Sequence, residues 1–158
     1  MVESHPITEY TEITPLITIG TNMHCQGHAH ELTELGFYAD IDLEEERQEQ
    51  PPMVEYYLWL PTKDHHPSTV DQYRMGSAAI AALVAAGKRI YVHCQNGHGR
   101  SPAMVAAYFM TSGITMDEAV DLIKRRRPEI HLDDTQVAAL RDFESWLKGD
   151  RHGSRQTL

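Results

Sequence analysis

The stretch Lys88-Arg89-Ile90-Tyr91-Val92-His93-Cys94-Gln95-Asn96-Gly97-His98-Gly99-Arg100-Ser101-Pro102 decides the reading of this chain. Lys88 to His93 has the composition of a short buried strand, Cys94 to Arg100 is a glycine-containing loop, and Ser101-Pro102 opens a helix. A strand running through a tight loop into a helix N-terminus brings successive backbone N–H groups and the positive end of a helix dipole together, which is an anion site. Phosphate is the natural occupant. Gly97 and Gly99 permit positive φ and close backbone approach. The Arg100 fork suits two phosphate oxygens at once. Cys94 heads the loop, so its sulfur faces the phosphorus, and the groups that stabilise a bound anion stabilise its thiolate as well. Ser101 can hydrogen-bond the sulfur and help it leave when a cysteinyl-phosphate breaks down.

Working outward, Gly and Pro divide the chain into alternating strand-like and helix-like pieces. Ile13 to Gly20 reads as a strand, with Pro15 near an edge or a strand start. His30 to Leu35 reads as a short helix, and Phe37 to Leu43 as a strand ending in the acidic run Glu44-Glu45-Glu46, expected in solvent. Glu55 to Leu60 is strand-like and closed by Pro61; Thr62 to Pro67 is a loop. Val70 to Ala86 is an Ala-rich helix stopped at Gly87. A helix follows the central loop through Ser112, another begins at the capping-box-like Thr115-x-x-Glu118, and Asp133 or Asp134 caps a last helix to about Lys148. Gly149 to Leu158 reads as a flexible tail. The expected fold is α/β: a single domain over 1–158 with its core at about 10–148, and a central, mostly parallel sheet flanked by helices.

Composition excludes several classes. The 158 residues are 41% hydrophobic and 23% charged, which is ordinary globular composition. The formal charge of −9 opposes general nucleic-acid binding and docking on anionic membranes. The apolar run Ala78 to Ala86 is far short of the roughly 20 residues that cross a bilayer. The start, Met1-Val2-Glu3-Ser4-His5-Pro6, lacks the features of a secretory signal, so a cytoplasmic location is expected. Two cysteines, Cys25 and Cys94, cannot make a disulfide scaffold, and each is read as a thiol.

The pattern His93-Cys94-x5-Arg100-Ser101 resembles the signature of the cysteine-based protein tyrosine phosphatases, especially their compact dual-specificity branch. Similar landmarks are Ile13-Thr14-Pro15-Leu16 with Gly20, Leu35-Gly36-Phe37 to Leu43, Tyr57 to Asp64, Ala107-Tyr108, Glu118-Ala119, Arg127-Pro128-x-Ile130 and the Gln136 to Phe143 helix. The resemblance implies hydrolysis of phosphotyrosine, with phosphoserine and phosphothreonine, through a cysteinyl-phosphate. Cys94 is then the nucleophile, and Gln95, Asn96, Gly97, His98, Gly99 and Arg100 bind the phosphate, Arg100 also clamping the transition state. His93 tunes the cysteine through its hydrogen bonds. A leaving alkoxide or phenoxide needs a proton that a thiolate cannot supply. In the resembled family an Asp on the loop after the preceding strand gives it, and here that is Asp64. The same Asp64 then serves as base toward water; Asp71 is the reserve, better explained as a first-turn helix residue. No metal or cofactor is required, and the partner is a phosphorylated protein. The neutral Gln95 and Asn96, with His98, stand where phosphoinositide-directed relatives are more basic, which argues against an inositol-lipid substrate.

Plainer readings stand beside these. The loop can be a simple turn with a buried Cys94, or a phosphate-reading adaptor without turnover, or the anion loop of a rhodanese-like sulfurtransferase. Asp64 can be a solvated turn residue, His93 a core histidine and His98 an exposed loop residue. Met23 to His30, with His24, Cys25, His28 and His30, has spacings a transition metal can use, although a polar connection explains it as well. Lys124-Arg125-Arg126-Arg127 can recruit an acidic phosphoprotein, yet cations at a helix C-terminus are favourable in any case.

Overall fold

The computed structural model describes residues 9–22, 31–46 and 53–153. The strands are β1 (Tyr10–Glu12), β2 (Ile17–Gly20), β3 (Ala39–Glu44), β4 (Tyr56–Thr62) and β5 (Ile90–His93). The helices are α1 (Glu31–Glu34), α2 (Val70–Ala85), α3 (Arg100–Met110), α4 (Met116–Arg126) and α5 (Asp134–Gly153). The five strands form one sheet in the order β1-β2-β5-β3-β4, parallel throughout except for the antiparallel β1–β2 pair. This is the expected mostly parallel α/β architecture.

Strand alternation sorts side chains between two faces. Ile17, Ile19, Ile41, Leu43, Ile90 and Val92 join the main core with Tyr73 and Ile80 of α2, Met104 and Ala107 of α3, Ile123 of α4, and Leu140 and Phe143 of α5. The other face carries a small cluster of Leu32, Phe37 and Tyr91. There Phe37 meets Tyr91 edge to face at 5.3 Å. Because the parallel strands β5 and β3 lie inside the sheet, their C-terminal ends open into one crevice, the place where such folds bind ligands.

The structure corrects four expectations. Ile13 to Gly20 is not one strand: Pro15 lies in a turn, closed by the Ile13 amide on the Ile17 carbonyl at 2.8 Å, that separates β1 from β2. Pro61 does not end β4; the strand continues to Thr62, since an edge strand tolerates a missing N–H. Glu44 is not in solvent but 1% exposed, because β3 lies between β5 and β4. Helix α5 continues through Gly149 to Gly153, so the expected tail is helical for its first residues. Cys25 and the His24, His28 and His30 cluster lie outside the described residues. No helix among the described residues is long and apolar enough to cross a membrane.

Both α2 and α4 open with complete capping boxes, Thr69 with Gln72 and Thr115 with Glu118. Replacing Thr115 with Ala removes the acceptor for the Glu118 amide and should cost about 1 kcal/mol, read as a lower urea midpoint with unchanged slope. An unchanged midpoint would show that the box contributes nothing.

Candidate active site

Cys94 follows β5 directly and is 3% exposed. Its Sγ accepts the Gly97 amide at 3.3 Å and lies 3.2 Å from the Ser101 Oγ. Gly97 has φ 68°, and a Cβ there would come within 2.9 Å of the Gly20 carbonyl oxygen, so only glycine fits this turn. Gly99 is the N-cap of α3, and no side chain caps the helix. Unlike α2 and α4, this helix points uncapped first-turn amides and its positive dipole end at the loop.

Arg100, the first residue of α3, is 2% exposed and reaches across the crevice. Its Nη1 donates to both Glu46 carboxylate oxygens, at 2.8 and 3.1 Å, and to the Thr62 carbonyl at 2.8 Å. Its Nη2 lies 3.4 Å from Asp64 Oδ1. The Nε has no acceptor among the described residues. The chain just past β3, the last residue of β4 and the following loop therefore converge on one guanidinium beside the thiol. Asp64 is 44% exposed at its side chain, accepts the His65 amide at 3.0 Å, and sits where a carboxyl can face both the anion loop and solvent.

Beneath the loop, Arg127 is fully buried. Its Nε donates to the Gly97 carbonyl at 2.9 Å, Nη2 to the Asn96 carbonyl at 3.2 Å and Nη1 to Thr11 Oγ1 at 2.8 Å, with Glu9 and Glu129 carboxylates at 3.3 and 3.2 Å. The basic run is thus divided: Lys124, Arg125 and Arg126 end the exposed side of α4, whereas Arg127 turns inward and fixes the loop. Gln136 is equally buried; it accepts the Asp133 amide and donates to the His66 carbonyl. Its Oε1 lies 3.0 Å from where a Gly99 Cβ would stand. His93 is buried with Nε2 2.9 Å from Asp40 Oδ1 and 3.9 Å from Asp42 Oδ1.

Of the residues expected from sequence, Cys94, Gly97, Gly99, Arg100, Ser101 and Asp64 come together. Gln95 and Asn96 are exposed at the rim, and His98 is half-buried with its ring 5.6 Å from that of His131. His93 sits behind the cysteine. Asp71 stays on α2, paired with Arg74 at 3.2 Å. Sequence reasoning missed Glu46, hidden in an acidic run that reads as solvated, and the structural use of Arg127. A lone Gln136 in an amphipathic helix gives a weaker signal still.

The matches to known proteins agree with this geometry. Residues 18–146 match the family model described as dual specificity phosphatase, catalytic domain, and the chain belongs to that family. It is 29% identical over 136 residues to the dual specificity protein phosphatase 1 of Homo sapiens, covering 85% of this chain and 37% of the relative. Laforin of Mus musculus is 31% identical over 102 residues, 62% of this chain and 30% of the relative. The chain therefore spans about a third of the length of these curated relatives. Its fold is shared with the crystal structure of PTPMT1 (TM-score 0.79, 23% identity, 92% of this chain and 99% of that one). A mouse putative dual specificity phosphatase complexed with zinc tungstate shares it too (TM-score 0.78, 24% identity, 96% and 95%).

Arg127→Met keeps the aliphatic stem but leaves two loop carbonyls without their donor. It should destabilise the protein by about 1–3 kcal/mol and weaken orthovanadate binding at least tenfold, measured by urea titration and by competition. Vanadate affinity equal to wild type would show that the loop holds its shape without this brace.

Proposed function

We propose that the chain is a protein phosphatase that hydrolyses phosphotyrosine and phosphoserine or phosphothreonine through a cysteinyl-phosphate. The observation that carries this reading is the convergence on one crevice of a buried sulfur hydrogen-bonded to an amide and a hydroxyl, an arginine fork and a carboxyl at its exposed edge.

In the first half-reaction Cys94 Sγ forms the S–P bond as the P–O bond to the leaving group breaks, and Asp64 passes its proton to the departing oxygen. Arg100 and the loop amides hold the equatorial oxygens, whose charge is stabilised by donors fixed in advance. Glu46 and the Thr62 carbonyl keep Nη1 in place, so the guanidinium needs little reorganisation when substrate arrives. In the second half-reaction Asp64, now ionised, takes a proton from water as its oxygen attacks phosphorus. The S–P bond breaks and the pair returns to sulfur, where the Ser101 hydroxyl and the Gly97 amide stabilise the thiolate. His93, anchored toward Asp40, orients the backbone just before the nucleophile. Gln95 to Gly99 form the phosphate cradle. The scheme uses no metal or cofactor.

Family membership favours this over a rhodanese-like sulfurtransferase or a silent adaptor. The acidic net charge supports a phosphoprotein substrate over nucleic acid or anionic lipid. We place the catalytic unit at about residues 10–148, in the cytoplasm.

Metal-free turnover of an aryl phosphate in chelator, abolished in Cys94→Ser with phosphate-site binding retained, is the expected result. A wild type that binds vanadate without turnover would transfer the chain to the adaptor class. Asp64→Asn should slow phenyl phosphate more than p-nitrophenyl phosphate by about 10²-fold, because only the poor leaving group needs the proton. Equal slowing of both would remove Asp64 from the acid role. Glu46→Gln should raise KM for phosphopeptide several-fold with a smaller change in kcat, and an unaltered KM would show that Arg100 is held without it.

A further inference from the structure

Among the described residues, His65 is the only one other than glycine with a positive φ, 60°. A non-glycine residue there is strained and stays only where its surroundings fix it. Here its backbone and both ring nitrogens have partners, although the side chain is 71% exposed. Its amide donates to Asp64 Oδ1 at 3.0 Å, its Nδ1 lies 2.9 Å from Asp133 Oδ2, and its Nε2 lies 3.6 Å from Asp64 Oδ2. Its carbonyl accepts from Thr135 Oγ1 at 3.2 Å, and the next carbonyl, of His66, accepts from the buried Gln136 at 3.3 Å. The imidazole therefore stands between two carboxylates, one on the preceding residue and one 68 positions further along the chain. One of them is Asp64, and the other precedes α5.

We propose that His65 is a positioning residue: by bridging Asp64 and Asp133 it clamps the acid-bearing loop to the start of α5 and sets where, and over what pH range, Asp64 meets the leaving group. The proposal rests on the reading of Asp64 as the proton donor.

The charged groups that face the ring are Asp64 on its own loop, Asp133 before α5 and Arg100 of α3, which is itself paired with Glu46. The hydrogen bond that the ring donates to Asp133, and then the charge of Asp64, hold the imidazole above its ordinary 6.5, and Arg100 opposes them. The sign follows. The cationic bridge is complete below about pH 6.5 and fades as pH rises through the raised value, leaving a neutral ring with a lone pair toward one carboxylate. The clamp then loosens on the alkaline side.

The test is His65→Asn, since asparagine tolerates left-handed backbone and removes the imidazole. On phenyl phosphate the variant should lose roughly tenfold in kcat, a fraction of what a general acid supplies, with little change in KM. On p-nitrophenyl phosphate it should lose much less. The alkaline limb of the kcat profile should change shape relative to wild type. Equal losses on both substrates with an unchanged profile would mean that His65 serves structure alone, and would overturn the proposal. In a second arm, the NMR titration of the His65 ring should move down toward 6.5 in Asp133→Asn; no movement would show that the bridge is absent in solution. Asp64→Asn separates the two readings. If it slows phenyl phosphate and His65→Asn does not, only the clamp falls. If neither does, the acid assignment falls and the clamp with it.

Discussion

A single buried guanidinium organises this crevice. Arg100 begins a helix on one side of the sheet's C-terminal edge, yet its Nη1 is held by Glu46 beyond β3 and by the Thr62 carbonyl at the end of β4. Neither partner is local in sequence, so the fork is correctly placed only when β3, β4 and α3 are all in register. A buried cation without partners would be costly, and this one is paired before any ligand arrives. The arrangement couples folding to the site: the contacts that satisfy Arg100 are also those that aim it. The same pairing sets two carboxylates, Glu46 and Asp64, beside the guanidinium.

Arg127 solves the complementary problem. A loop that turns its amides toward an anion must turn carbonyls elsewhere, and buried carbonyls need donors. The carbonyls of Asn96 and Gly97 find them in one side chain from the end of α4. A second guanidinium on the underside thus balances the first in front, and its carboxylate neighbours, Glu9 and Glu129, remain partly exposed, which spares the interior a full buried ion pair.

The central motif was legible because its chemistry is local: strand, glycine loop and helix start are contiguous, and Cys94, Arg100 and Ser101 fall within one turn of chain. The parallel sheet followed from strands alternating with helices. What escaped reading depends on sheet order. Asp40, Asp42 and Glu44 alternate with Ile41 and Leu43 as a half-exposed strand would, but β3 is flanked by β5 and β4 and its polar face is buried as well. There the Tyr57 hydroxyl donates to Asp42, Asn22 donates to Glu44, and His93 faces Asp40. An alternating pattern gives the period of a strand and cannot give its neighbours. For the same reason Glu46 reads as one more solvated acid, although its position two residues past a central strand brings it to the arginine.

The distribution of helix caps separates stability from function. Thr69 and Thr115 close the first turns of α2 and α4 with reciprocal side-chain bonds. Helix α3, the most enclosed of the set, begins instead at Gly99 with no side-chain cap and with Pro102 in its first turn, where a missing N–H is tolerated. A Ser or Asp cap at Gly99 would satisfy those amides and would also occupy the space a phosphate oxygen needs. It would press on Gln136 besides, whose side chain already lies 3.0 Å from that Cβ position. Helix α3 therefore forgoes roughly a kilocalorie of local stability and leaves its dipole end open to the anion, while its buried side chains against α2, α4 and α5 hold it in place.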